Sequence, residues 1–222
     1  MRRTAAALAL AWLASAAPVS GHERTPLPAL DFEPPAPGTY RLHRIMVAPD
    51  GDVLDTAGRA HRLSTFTRDR ITLLGFIYTT CVDPDGCPLA YRVFDALRPA
   101  IEATPAMRHR VRLVTLSFDP AVDTPAAMRR YAGSRERENG PGPRWNFLTT
   151  GSARALRPLL DGFGQDVRAP ADRPAGGPRR ELTHVLKVFL IDPAGIVREI
   201  YSSAFLHPRT VLNDIETLLT GP

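Results

Sequence analysis

The chain of 222 residues holds only two cysteines, Cys81 and Cys87, with five residues between them. Paired thiols can close a structural disulfide, exchange a disulfide with a partner, or bind a soft metal ion as thiolates. The intervening Val82-Asp83-Pro84-Asp85-Gly86 contains a Pro-Asp-Gly turn, which lets the chain double back so that the two sulfurs face each other. Asp83 and Asp85 place negative charge beside the sulfurs, although both residue types are first of all turn formers. Spacing alone does not separate a staple from a reactive site.

The elements around the pair add a physical reason for reactivity. Residues 71–78 (ITLLGFIY) form a continuous apolar run of strand length, the pattern of a strand covered on both faces. Residues 88–101 then place Leu89, Val93, Ala96, Leu97 and Ile101 on one helical face, with Pro88 in the first turn, where its missing N–H costs nothing. The cysteines therefore sit where a buried strand ends and a long helix begins. Unpaired amides and the positive end of the helix dipole stabilise a thiolate at such a place.

Downstream, residues 111–118 read as a second buried strand. A helix opens at Thr124-Pro125, with Thr124 as cap, and runs to about residue 134. A short strand follows at 145–149 and a helix at 152–163. Residues 185–191 and 196–201 pair as a hairpin around Asp192-Pro193-Ala194-Gly195, and a last helix covers about 208–219. Upstream, 52–55 and 60–63 flank Thr56-Ala57-Gly58-Arg59 as a short hairpin. This order predicts an α/β, thioredoxin-like fold: a central mixed sheet flanked by helices, with an N-terminal β-hairpin. In that arrangement the loop before strand 185–191 lies beside the cysteine loop. Thioredoxin oxidoreductases carry a proline there, whereas this chain has Thr183-His184.

Three stretches, in the same order, resemble the Sco/SenC family of thioredoxin-fold copper metallochaperones. They are Phe76-Ile77-Tyr78-Thr79-Thr80-Cys81 with Cys87-Pro88; Ser117-Phe118-Asp119-Pro120 with Asp123-Thr124-Pro125; and His184 ahead of Val188-Phe189-Leu190-Ile191-Asp192-Pro193-Ala194-Gly195. The resemblance covers about 40–219. It implies a copper site formed by Cys81, Cys87 and His184. Two thiolates and one imidazole suit Cu(I), or Cu(II) in the oxidised metal state. It also implies delivery of copper to a membrane oxidase subunit, with an upstream periplasmic copper donor. Three departures stand out: the family usually has three residues between its cysteines, a histidine where Thr80 stands, and an acidic residue where Thr183 stands.

Arg2-Arg3, an apolar run over 4–13 and the small residues Ala14-Ser15-Ala16-Ala17 have the form of an export signal, with cleavage after Ala16 or Gly21. A retained N-terminal anchor is the alternative. The expected organisation is thus a signal or anchor over 1–21, a Pro-rich linker over 22–39 and one domain over 40–222. The expected location is periplasmic, with membrane association only through an uncleaved N-terminal segment. Net charge is +5, almost all of it arginine, since Lys187 is the only lysine. The arginines are scattered rather than gathered on one periodic face, which argues against nucleic-acid binding; a basic surface can still steer the domain toward an acidic partner or anionic lipid. His22, His61, His109 and His207 read as solvated. The Arg- and Pro-rich residues 166–180 are expected to form a mobile part of a docking surface.

Two other readings remain at this stage. A thiol–disulfide oxidoreductase needs only Cys81 and Cys87, one thiolate attacking and the other resolving. A stapled binding domain needs only the disulfide.

Overall fold

The computed structural model describes residues 26–136, 143–168 and 182–221. The proposed signal or anchor segment, His22 and most of the 166–180 loop lie outside the described residues.

A mixed six-stranded sheet organises the fold. Its strands are β1 (Met46–Val47), β4 (Ile71–Ile77), β5 (Val111–Ser117), β6 (Arg144–Leu148), β9 (Val188–Ile191) and β10 (Ile196–Tyr201), in the spatial order β1-β10-β9-β4-β5-β6. β4, β5 and β6 run parallel, and the β9–β10 hairpin joins antiparallel to β4, with Leu74 opposite Phe189. Every residue of β4 is buried, as its unbroken apolar run requires. Each Leu or Phe fully buried there contributes about 1.5–3 kcal/mol of transfer free energy. The expected N-terminal hairpin is present as β2 (Asp52–Leu54) and β3 (Ala60–Arg62), which form their own two-stranded sheet.

Six helices accompany the strands among the described residues: α1 (Ser64–Thr67), α2 (Cys87–Ala103), α3 (Pro105–Arg108), α4 (Pro125–Ala132), α5 (Ala153–Phe163) and α6 (Pro208–Thr220). α2 packs on α3 and α6, α4 on β6, and α5 on β2. Caps fix where the helices begin. Thr124 Oγ1 accepts from the Ala127 amide at 3.3 Å, and Ser152 Oγ accepts from Ala155 at 3.2 Å. At the other end of α5, Gly164 closes the helix with φ +60°, a conformation that glycine adopts without steric cost.

Several sequence expectations need correction. Ala96 is exposed, while Ala90, Tyr91 and Phe94 are buried along with Leu89, Val93, Leu97 and Ile101. Because α2 is covered by both the sheet and α6, its apolar surface is wider than a single stripe. The fourth helix is also shorter than expected, passing at Gly133 (φ +55°) into a 3-10 turn over Gly133–Arg135. Strand β9 begins at Val188 rather than 185, since Thr183–His184 forms a separate strand, β8, paired with β7 (Val167–Arg168). Side chains hold the connection: Gln165 Nε2 donates to Val185 O at 2.9 Å and Lys187 Nζ to Gly164 O at 2.5 Å. Residues 26–40 lie along α6, with the Gly38 amide on Thr217 Oγ1 and Asn213 Nδ2 on Pro35 O.

Candidate metal centre

The two cysteines are brought together at one end of the sheet. Cys81 lies four residues beyond β4, and its amide closes a tight turn onto Tyr78 O at 3.2 Å. Cys87 is the first residue of α2. Between them, Asp83 shapes the turn: its Oδ1 accepts from the Asp85 amide at 3.1 Å and its carbonyl from the Gly86 amide at 3.1 Å. Arg92, one turn into α2, donates from Nη2 to Pro84 O at 3.3 Å and ties the loop to the helix. From the other side, Asp123 pins the approach to Cys81. It is fully buried and accepts from the Thr79 amide at 3.1 Å, from the Thr79 hydroxyl and from Ser117 Oγ at 2.5 Å.

Both cysteines are buried free thiols. The Cys87 thiol donates to the Cys81 sulfur, the largest single influence in bringing the Cys81 pKa down to about 6. Burial opposes that shift, and the amides of Cys87 and Asp83 and the Tyr78 hydroxyl reinforce it. The Tyr78 hydroxyl itself is pushed up to about 12, by burial first and then by the charge on Cys81, so it stays protonated as a donor. Burial and the neighbouring Cys81 sulfur push the Cys87 thiol well above the usual range. Both directions favour a single negative charge on the reduced pair, held mainly at Cys81.

His184 completes the cluster. Its Nε2 lies 3.5 Å from Cys87 Sγ, and its Nδ1 lies 3.3 Å from Leu182 O. A carbonyl oxygen only accepts, so Nδ1 donates this bond and Nε2 is the ring nitrogen that faces the sulfur. Tyr78 and Phe118 pack against the ring, with centroids 5.7 and 4.8 Å away. Pairing with Val167 fixes the backbone of His184. Cys87 thus neighbours both the Cys81 sulfur and His184 Nε2. A soft cation bound among them would meet two sulfurs and one imidazole nitrogen, a donor set suited to copper. As the side chains stand, no three His, Cys, Asp or Glu groups converge at ligating distance among the described residues. Cys87 neighbours the other two, and closure onto a metal requires the side chains to move.

Val82, Val122 and Val185, each next in the chain to Cys81, Asp123 or His184, are exposed. The other histidines lie elsewhere. His109 is exposed at the end of α3; His207 caps α6, its Nδ1 accepting from the Arg209 amide at 3.2 Å. His61 is half-buried rather than solvated, bonded to Asp55 at 3.1 Å with its ring against Phe66. Sequence reasoning assigned no role to Tyr78, Arg92, Phe118, Asp123 or Gln165. The signal for Asp123 was present in the Ser117–Asp123 stretch, but which side chain its carboxylate would hold was not readable.

The SCO1/SenC family model matches residues 47–220, the span that contains both cysteines, His184 and all the strands of the main sheet except Met46. The chain belongs to the SCO1/SenC family. Among curated protein sequences, none matches it. Solved Sco structures share its thioredoxin-like fold. Sco1 from Thermus thermophilus, solved in the apo form, is 27% identical with a TM-score of 0.59, covering 82% of this chain and 95% of that one. ScoI from Arabidopsis thaliana, solved with copper bound, is 16% identical with a TM-score of 0.64, covering 78% and 98%. BsSco, described as having a disulfide switch and as a member of the Sco family of cytochrome c oxidase assembly proteins, is 20% identical with a TM-score of 0.58, covering 82% and 100%.

Proposed function

We propose that this SCO1/SenC protein is an exported copper metallochaperone that takes copper on Cys81, Cys87 and His184 and passes it to the copper centre of a respiratory oxidase. The observation that carries the reading is His184 Nε2 at 3.5 Å from Cys87 Sγ, the sulfur that neighbours Cys81. Family membership and the copper-bound relatives support copper as the cargo. The export-type sequence over residues 1–21 supports a periplasmic location.

The residues divide the work. Cys81 enters as a thiolate, already stabilised by two amides and a tyrosine hydroxyl. Cys87 gives up its proton when the metal binds. His184 supplies a nitrogen ligand whose ring is held by Leu182 O, Tyr78 and Phe118. Transfer proceeds by exchange of these ligands for those of the acceptor.

A second reading, thiol–disulfide exchange on partner cysteines, draws support from the acidified Cys81 beside a protonated Cys87. The disulfide switch described for BsSco supports it also. Anaerobic Cu(I) titration of the reduced protein against a competing chelator separates the two. The metallochaperone reading expects one tight Cu(I) per chain and a loss of affinity in His184→Ala, Cys81→Ser and Cys87→Ser. Absence of tight binding, or unchanged affinity in His184→Ala with thiol exchange intact, would leave the exchange reading in its place.

A further inference from the structure

Six large apolar side chains are exposed among the described residues, and they fall into two groups. Val82, Val122 and Val185 each adjoin Cys81, Asp123 or His184 in the chain. Val47 lies in β1, the edge strand of the sheet, separated from β4 by β10 and β9; Ile45 precedes it and Phe205 lines a cavity with Ile45. Solitary exposed apolar residues are ordinary, but a cluster at an open strand edge needs a partner.

The chemistry around this second group is specific. Arg41, His43, Ile45 and Val47 occupy alternate positions, so they share one side of the extended chain. Arg41, His43, Ile45, Phe32 and Phe205 line a single cavity of about 640 Å³, with Phe32 and Phe205 rings 5.7 Å apart. Arg41, His43 and Arg44 are exposed, and neither arginine has an ion-pair partner among the described residues. The nearby carboxylates do not cancel this charge. Asp214 is buried beneath the Tyr40 and Tyr201 hydroxyls, Glu199 is half-buried, and Glu33 is paired with Arg209; Asp31 alone is exposed and unpaired among the described residues. Arg198 holds the strip rigid, donating to His43 O at 3.0 Å and to Leu42 O at 2.5 Å.

Apolar tips beside the unpaired Arg41 guanidinium match the boundary of an anionic bilayer, where the tips enter the acyl region and the guanidinium meets a phosphate. Residues 26–40, which run past Phe32 and into this strip, connect it directly to the apolar run over 4–19. We propose that the face formed by Arg41, His43, Ile45, Val47 and Phe205 rests on an anionic lipid surface, so that the domain lies against a membrane by its β1 edge. A docked edge strand is also shielded from pairing with other chains.

Hydrogen–deuterium exchange of the full chain tests this with vesicles of pure phosphatidylcholine and vesicles containing phosphatidylglycerol. Residues 1–25 can hold the chain on either vesicle, so the readout is the difference between the two lipids at the amides of 41–47 and 203–207. Slowed exchange there on phosphatidylglycerol alone, reversed by high salt, is expected. Arg41→Ala should weaken the phosphatidylglycerol-dependent slowing at 41–47 about fivefold. Arg154→Ala with Arg157→Ala, on exposed α5, should leave it unchanged. Equal exchange on both lipids would overturn the proposal. So would slowing that needs no vesicles and grows with protein concentration, which would make the face a contact between copies of the chain.

Discussion

Replacing Cys87 with alanine leaves Cys81 as the only thiol and removes the hydrogen that does most to acidify it. A hydrogen bond to a charged group is worth about 1.5–3 kcal/mol. One pKa unit corresponds to about 1.4 kcal/mol. The Cys81 titration should therefore move from about 6 to roughly 7–8 in Cys87→Ala. The amides of Cys87 and Asp83 and the Tyr78 hydroxyl remain, so the return to an ordinary thiol value is incomplete. The sign is fixed by the chemistry. A depressed thiol pKa keeps the reactive thiolate present as pH falls, until pH passes below that pKa. Iodoacetamide alkylation, followed by mass spectrometry from pH 4 to 9, reads this directly. In the parent protein, Cys81 should modify with a midpoint near 6 while Cys87 stays inert across the range. In Cys87→Ala the midpoint should lie one to two units higher. An unchanged midpoint would refute the assignment of Cys87 as the main stabiliser, and equal reactivity of both thiols would refute the division into thiolate and thiol.

Three further outcomes follow from the same geometry. Cu(I) binding at pH 8 should release about one proton, from Cys87, because Cys81 is already ionised; calorimetry in buffers of different ionisation enthalpy measures it, and release of two or none contradicts the pairing. Asp123→Ala strands three buried donors, from Thr79 and Ser117, and should weaken Cu(I) affinity about 10–100-fold, with Asp123→Asn recovering part of the loss in the same competition titration. Gly162→Ala places a Cβ 2.6 Å from Cγ of Pro49, and the overpacking cost of about 1–3 kcal/mol outweighs the gain of up to ~1 kcal/mol in helix propensity; a lower midpoint in urea is expected, and a higher one would show that Pro49 yields.

The long, strongly patterned elements were legible in the sequence. The unbroken 71–78 run, the Pro88 helix start and the Thr124-Pro125 cap each became the element expected, because local signals and tertiary burial agree there. The short pieces β1, α1, α3 and the β7–β8 pair escaped notice, since two to four residues carry no periodicity. Ala96 was misplaced because a helix covered on two sides buries residues off the main stripe. At the site, residue types and order pointed to Cys81, Cys87 and His184. The roles of Tyr78, Asp123, Arg92 and Gln165 depend instead on where their side chains end after the chain has folded. The lipid-facing strip is similar: Phe205 is remote in sequence from Ile45 and Val47, and only the sheet edge gathers them.

The central claim is that one histidine and two sulfurs, divided in the chain between the start of α2 and the strand before β9, close on a single copper ion. X-ray absorption at the copper edge of the Cu(I)-loaded protein tests it most directly. The account predicts two sulfur scatterers and one imidazole nitrogen in the parent protein, with the imidazole signature lost in His184→Ala. A purely two-sulfur site, identical in both proteins, would contradict it.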